Sequence, residues 1–184
     1  NDWYEWESSS LPPAVGDTAS GGSSSNFAIT HTTTSTEVIE GEGSLKVEAS
    51  GTFSLDGIAY EIPIDGRRDA ASVTFELSLM DGSLPLADVR LYFIDVTNST
   101  ILYDSSERLD SISNEEDGDP ELFKGSFALP STITTLRIAL QFGSLGTGRK
   151  ISLDKLSVRF KGEDPTRIGD VNYHLNPGLD QGRS

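Results

Sequence analysis

The segment "SVTFELSLM" (residues 72–80) decides the fold class of this chain. Its apolar residues stand at every second position and alternate with threonine, glutamate and serine: Val73, Phe75, Leu77 and Leu79. A period of two is typical of a β-strand that buries one face. The same alternation recurs at residues 58–64 and 136–142, and Gly, Pro, Asn and Asp separate most of these segments.

No window of a dozen residues keeps the apolar spacing of a helix. The pattern therefore predicts an all-β protein, an antiparallel β-sandwich (jelly roll) of eight or nine strands in two packed sheets. We expect residues 1–26 to form an irregular N-terminal arm that belongs to the sandwich and residues 27–162 to form the sandwich itself. Residues 163–184 lose strand periodicity, and we interpret them as a linker and the candidate start of a second, tandem domain.

One predicted strand, "ISLDKLSVRF" (residues 151–160), changes its parity. Ile151 and Leu153 occupy odd-numbered positions, whereas the apolar residues from Leu156 onward occupy even-numbered positions, which in a regular strand would put them on the opposite face. An extra residue must be accommodated between them, so the sequence predicts a β-bulge near Asp154 and Lys155.

Composition excludes several classes of function. The chain has 184 residues, 29 acidic against 14 basic side chains, and a formal net charge of -15. Binding to nucleic acid or to an anionic membrane needs clustered Lys and Arg, so we expect neither partner. There is no cysteine, and the two histidines, His31 and His174, lack the spacing of a zinc site. Nucleophilic and zinc chemistry therefore lack their residues. Paired carboxylates for glycoside cleavage are the alternative, but the abundance of Asp and Glu alone does not indicate such a pair, so we expect no enzymatic activity.

Three segments carry a resemblance to a known family: "GEGSLKV" (residues 41–47), "VRLYFIDVTNSTILYDSS" (residues 89–106) and "ISLDKLSV" (residues 151–158). In their order and spacing they resemble jelly-roll domains similar to carbohydrate-binding modules, which occur in secreted glycosidases. The middle segment resembles the variant that is repeated in bacteriophage tail and fibre proteins. The tail segment "NPGLDQG" (residues 176–182) resembles the beginning of another copy.

The resemblance implies a non-enzymatic structural or adhesion module of a phage tail or fibre protein, located in the virion, with host-surface glycan as a candidate ligand. Its expected partners are other copies of the chain, as a homo-oligomer, or other virion proteins. The alternative is a carbohydrate-binding module of a secreted, extracellular glycoside hydrolase.

In the resembled modules the glycine-rich turn and the aspartate of the last strand contribute to a structural calcium site. The resemblance thus implies a calcium ion held by Glu42, Gly43, Ser44 and Asp154, since Ca²⁺ takes six to eight oxygen ligands from carboxylates and carbonyls. The alternative is that Glu42 is a solvated turn residue and that Asp154 caps the bulge through hydrogen bonds to the backbone.

Polar and aromatic residues at outward-facing strand positions are candidates for sugar binding. Arg90 with Tyr92, and Arg137 with Gln141, alternate with the predicted core residues of their strands. The four could form a ligand-binding sheet face. The alternative is that Arg90 and Tyr92 are covered, because the strand around them is apolar at both parities and is then buried on both sides.

Overall fold

The computed structural model describes residues 3–6, 27–51, 53–54, 56–64, 70–81, 89–105, 120–142, 144–145, 147–162 and 172–175. Within these ranges the chain forms thirteen β-strands: β1 (Tyr4–Trp6), β2 (Phe27–Thr32), β3 (Ser44–Ala49), β4 (Phe53–Ser54), β5 (Gly57–Pro63), β6 (Ala70–Asp81), β7 (Val89–Asp95), β8 (Thr100–Asp104), β9 (Glu121–Ala128), β10 (Thr135–Phe142), β11 (Ser144–Leu145), β12 (Lys150–Gly162) and β13 (Asn172–Leu175). No helix in this described part is long and apolar enough to cross a membrane.

The strands form two large antiparallel sheets. The five-stranded sheet has the order β1-β5-β10-β7-β8, and the six-stranded sheet has the order β2-β3-β12-β6-β9, with β13 paired to β12. A two-stranded ribbon of β4 and β11 completes the described strands. Neighbours in each order are mostly distant in sequence, which is the expected consequence of a jelly-roll topology.

Aromatic side chains from both sheets meet in the core. The ring of Phe93 on β7 lies 4.6 Å from that of Phe75 on β6 and 4.8 Å from that of Phe127 on β9, measured between centroids. Phe27 and Phe142 make a second contact between the sheets, at 5.5 Å. The predicted all-β sandwich is confirmed. The strands outnumber the predicted eight or nine because β1, β4, β11 and β13 have only two to four residues each, too few to show alternation.

The ends of the chain are described only in part. Within the predicted arm, β1 pairs with β5 in the five-stranded sheet, and within the predicted linker, β13 pairs with β12. Residues 1–2, 7–26, 163–171 and 176–184 lie outside the described residues. The domain boundaries and the second tandem copy therefore stay predictions.

The parity change in β12 is a β-bulge. Asp154 faces Ser78 of β6 and Ser157 faces Glu76, so three steps along β12 match two along β6. Lys155 has a positive φ of 53°, which absorbs the extra residue. The bulge lets both halves of the strand bury their apolar residues, and it confirms the sequence prediction.

The "DVTN" turn joins β7 to β8 through side-chain hydrogen bonds. Asp95, which is fully buried, accepts hydrogen bonds from the backbone N–H of Asn98 at 2.9 Å and from its side-chain amide at 2.6 Å. The hydroxyl of Thr97 accepts from the backbone N–H groups of Thr134 and Thr135 at 2.9 and 3.2 Å. The turn is thereby fixed to the segment that enters β10.

Candidate functional site

The outer face of the five-stranded sheet brings together the four side chains that sequence reasoning selected for glycan binding. Gln141 of β10 lies directly opposite Arg90 of β7, and Ala139 lies opposite Tyr92. Arg137 lies opposite Ile94 in the same register. Because residues two apart share a face of a strand, Arg90, Tyr92, Arg137 and Gln141 belong to one surface.

Most of this surface is buried. Tyr92 is 0% exposed and Gln141 1%, and Arg137 is 6% exposed, whereas Arg90 is half-buried. A second apolar cluster covers the centre of the face, formed by Trp6, Ala59, Tyr92, Ile94 and Ala139. β7 is thus buried on both sides, as the alternative interpretation of Arg90 and Tyr92 proposed. The ring of Tyr92 does not present an exposed platform for stacking on a sugar.

An ion pair between the buried Arg137 and the exposed Glu61 fixes one side of the outer face. The Nε and Nη2 groups of Arg137 donate to Oε1 of Glu61 at 3.1 and 2.8 Å, and the hydroxyl of Tyr4 donates to the same oxygen at 3.0 Å. Burial raises the pKa of Tyr4 to about 12, although the nearby Arg137 charge acts in the opposite direction. We expect Arg137 to keep this contact, because a buried guanidinium without its carboxylate would strongly destabilise the fold.

The hydroxyl of Tyr92 is a buried polar group of the face that lacks a well-aligned hydrogen bond. It is fully buried and forms no well-aligned hydrogen bond within the described part of the chain, although the Arg90 guanidinium lies close to it. Burial raises the pKa of Tyr92, the Asp104 carboxylate raises it further, and the Arg90 guanidinium lowers it. Two charged side chains of opposite sign, Arg90 and Asp104, therefore act on this hydroxyl. The phenolic hydroxyl can both donate and accept a hydrogen bond, so it could pair with a ligand hydroxyl that reached it.

Sequence reasoning missed Glu61, Tyr4 and Asp104. Glu61 stands 76 residues before Arg137, and Tyr4 stands 57 residues before Glu61. Such pairs are created by the strand order and leave no local pattern in the sequence. The outward parity of Glu61 on β5 was the only signal for it, and that position is equally consistent with a solvated residue.

The predicted metal residues lie at the junction of β3 with the bulge of β12. The Ser44 hydroxyl donates to Oδ2 of Asp154 at 3.0 Å and accepts from the backbone N–H of Ile39 at 2.9 Å. Oδ1 of Asp154 accepts from the backbone N–H of Lys155 at 2.7 Å. The Lys155 ammonium pairs with the carboxylate of Glu40. We call this set of contacts the bulge junction.

The double-glycine turn has a steric explanation. Gly41 has a φ of +73°, which L-residues with side chains rarely adopt. A Cβ at Gly43 would clash with the ring of His31 and would lie 2.8 Å from the carbonyl oxygen of Thr32. Glu42 between them is exposed. The two glycines therefore let the chain pass close to β2 before it enters β3.

A calcium ion fits these residues poorly. Both oxygens of Asp154 already accept hydrogen bonds from protein donors, and Glu40 is paired with Lys155. In the part of the chain that the structure describes, no three Asp, Glu, His or Cys side chains gather closely enough to hold a metal. Calcium needs six to eight oxygens, so residues outside the described ranges would have to supply most of them. The calcium ion stays a prediction of the resemblance.

Comparison with known proteins identifies the fold. No protein-family model matches the sequence, and no curated protein matches it. A solved CBM4 structure is similar over 87% of this chain and 95% of its own, with a TM-score of 0.51 and 13% sequence identity. The fold is that of carbohydrate-binding modules. At this identity the likeness concerns the fold alone.

Two larger proteins contain a similar unit. One is the Clostridium thermocellum endo-1,4-beta-D-xylanase 10B, in its CBM22-1 and GH10 modules complexed with xylohexaose, with a TM-score of 0.51, 11% identity, and coverage of 85% of this chain and 26% of that one. The other is the enzymatically active domain of tailspike protein 4 of bacteriophage CBA120, with a TM-score of 0.53, 8% identity, and coverage of 88% and 20%. Units similar to this chain thus occur both in a xylanase and in a phage tailspike, which correspond to the two alternatives that the sequence left open.

Proposed function

We propose that this domain is a non-enzymatic glycan-binding module whose ligand contacts the outer face of the five-stranded sheet. The observation that carries the proposal is the buried Tyr92 hydroxyl, which forms no well-aligned hydrogen bond in the described part of the chain, although the Arg90 guanidinium lies close to it. A buried hydroxyl without a partner costs about 1–3 kcal/mol, and a sugar hydroxyl would remove that cost. The carbohydrate-binding-module fold supports the same assignment.

The expected mode of binding is polar rather than by aromatic stacking. Tyr92 is fully buried together with its hydroxyl, so a ligand would reach that hydroxyl only by displacing protein that covers it, and it would approach along the half-buried Arg90. The Arg137–Glu61 pair would keep this side of the sheet fixed. Weak polar contacts of this kind suit a module that acts in several copies, because many weak sites on one particle bind strongly together.

A glycan array with the isolated chain, followed by calorimetry with the best glycan, tests the proposal. Tyr92→Phe should weaken binding about tenfold, the value of one neutral hydrogen bond near the upper end of its range. Tyr103→Phe is the matched control, because Tyr103 contacts the rings of the core on the opposite face. Equal affinity of Tyr92→Phe and the parent chain would refute the assignment of this face.

A role in a phage tail or fibre is the second proposal. The likeness to the tailspike domain and the "DVTN" turn, which resembles the phage variant, both favour it. In this role the chain would be part of the virion and would assemble with its own copies or with other virion proteins. The extracellular module of a secreted glycoside hydrolase is the competing proposal, since the xylanase unit is also similar.

Measurement of the mass in solution by light scattering separates these two proposals. A tail or fibre module should be a stable oligomer, whereas a module attached to an enzyme should be monomeric. A strict monomer with a tight glycan ligand would contradict the virion role and leave the glycan-binding function in place.

A further inference from the structure

A cavity lies on the outer face of the six-stranded sheet, across β12, β6 and β9. Its volume is about 150 Å³. The register places Ser157 opposite Glu76, and Glu76 opposite Lys124, in one row across the three strands. Arg159 lies opposite Thr74 in the next row, and all five side chains line the cavity. This oxyanion cavity, as we call it below, is on the other sheet from the proposed glycan-binding face.

The hydroxyl of Ser157 is buried without a partner. Ser157 is 6% exposed, and its Oγ makes no hydrogen bond in the part of the chain described by the structure. Most buried hydroxyls in native proteins are hydrogen-bonded, to protein, water or ligand. Because Ser157 lines the oxyanion cavity, a ligand held there is placed to accept this hydrogen bond.

The charge around the cavity is opposite to that of the whole chain. Among the side chains that the structure describes on this part of the sheet, Arg159, Lys124 and Lys161 carry outward-facing positive charges, against the one carboxylate of Glu76. The whole chain has 29 acidic and 14 basic residues. A local cationic patch on an acidic protein attracts anions to one place and leaves the rest of the surface repulsive to them.

Arg159 supplies the most suitable group for an anion. It is exposed and takes part in no ion pair among the described residues, whereas Lys124 is already paired with Glu76 at 3.2 Å. A guanidinium presents parallel N–H donors that match the two oxygens of a carboxylate or sulfate group. The side chains of β13, the strand beside Ser157 and Arg159, lie outside the described residues.

We propose that this cavity binds a small oxyanion, held by the guanidinium of Arg159 and by a hydrogen bond from the Ser157 hydroxyl. The volume corresponds to about five water molecules of liquid, so the site takes one charged group and its immediate substituents, not the length of a polymer. The oxyanion is the carboxylate of an acidic sugar unit or a free inorganic sulfate ion. This proposal does not depend on the glycan-binding face, which is built on other strands.

The proposal is tested by titrating the full chain at low salt with glucuronate, with glucose and with sodium sulfate. The backbone NMR signals report the binding of each compound. We expect glucuronate or sulfate, but not glucose, to shift the signals of the strand segments that line the cavity. Arg159→Gln and Ser157→Ala should each weaken this binding at least about tenfold, the value of one charge-assisted hydrogen bond. Arg159 is exposed, so its replacement should leave the fold intact.

Arg149→Gln is the matched control, because Arg149 precedes β12 at the end of the strand remote from Arg159. Shifts with glucuronate would assign the site to an acidic sugar, and shifts with sulfate alone would assign it to the free ion. The proposal is overturned by the absence of binding of both anions, by equal binding of glucose, or by binding that neither cavity variant weakens. Tyr92→Phe should not change anion binding, so failure here and failure of the glycan-binding proposal are separate results.

Discussion

Replacement of Asp154 by alanine should be strongly destabilising. The side chain is 2% exposed, and its two oxygens accept hydrogen bonds from the Ser44 hydroxyl and from the backbone N–H of Lys155. Ser44 is fully buried, so its hydroxyl would lose its acceptor in a place that water does not reach. The second hydrogen bond holds the positive-φ residue of the bulge, so the same substitution loosens the strand.

The expected loss of unfolding free energy is about 3–5 kcal/mol. A hydrogen bond to a charged group contributes about 1.5–3 kcal/mol, and two such bonds are removed with their buried donor left behind. In a domain of this size, about 1 kcal/mol shifts the melting temperature by about 2–4 °C, so Tm should fall by about 10 °C. Asp154→Asn keeps one acceptor and the shape of the side chain, and it should cost about 1–2 kcal/mol.

Urea unfolding followed by intrinsic fluorescence measures these differences. Glu42→Gln is the matched control, because Glu42 is exposed in the neighbouring turn and its replacement should stay within about 0.5 kcal/mol of the parent chain. If Asp154→Ala and Glu42→Gln differ by less than about 1 kcal/mol, the bulge junction does not stabilise the fold, and the reasoning from its hydrogen bonds is refuted.

Two further predictions concern divalent cations and alkaline pH. Because protein donors already bond to both Asp154 oxygens in the bulge junction, we expect EDTA to leave Tm unchanged. A fall in Tm that calcium reverses would show instead that the ion implied by the resemblance is bound, since a ligand of the folded state stabilises that state by mass action. The pKa of Tyr4 is raised from 10.0 to about 12 in the folded state, so its contribution to stability is complete below pH 10 and is lost as the pH rises through about 12. The free energy of unfolding should therefore fall less for Tyr4→Phe than for the parent chain between pH 9 and 11.5. Urea unfolding measures this decrease, and an equal decrease in the two proteins would contradict the assignment.

The fold could be predicted because the strands that make the core obey simple rules. β6 and β10 alternate apolar and polar residues, and the parity change of β12 required a bulge that the structure places between Asp154 and Ser157. These are properties of one strand at a time. Strand order is different, because it depends on pairs such as β12 with β3 and β6, whose paired residues are 70 or more positions apart in sequence, and single-strand patterns carry no information on such pairs.

The candidate sites could be predicted only in part for the same reason. Parity alone placed Arg90, Tyr92, Arg137 and Gln141 on one face, and the register agrees. Parity does not say whether a face is covered or which side chain neutralises a buried arginine. The partner of Arg137 comes from β5, and the cavity beside Ser157 requires three strands together.

The two outer faces differ because their central strands differ in sequence. Around Tyr92, β7 is apolar at both parities, and such a strand is stable only when both of its faces are covered, so a ligand there competes with protein for buried surface. On β6 the outward side chains from Ser72 to Ser78 are polar, and Glu76, between Lys124 and Ser157, remains partly exposed. An incoming anion at the second face meets the exposed guanidinium of Arg159 directly. The oxyanion cavity should therefore bind without any change in the strands around it, whereas glycan binding at Tyr92 should be accompanied by shifts of backbone signals beyond the residues that contact the sugar.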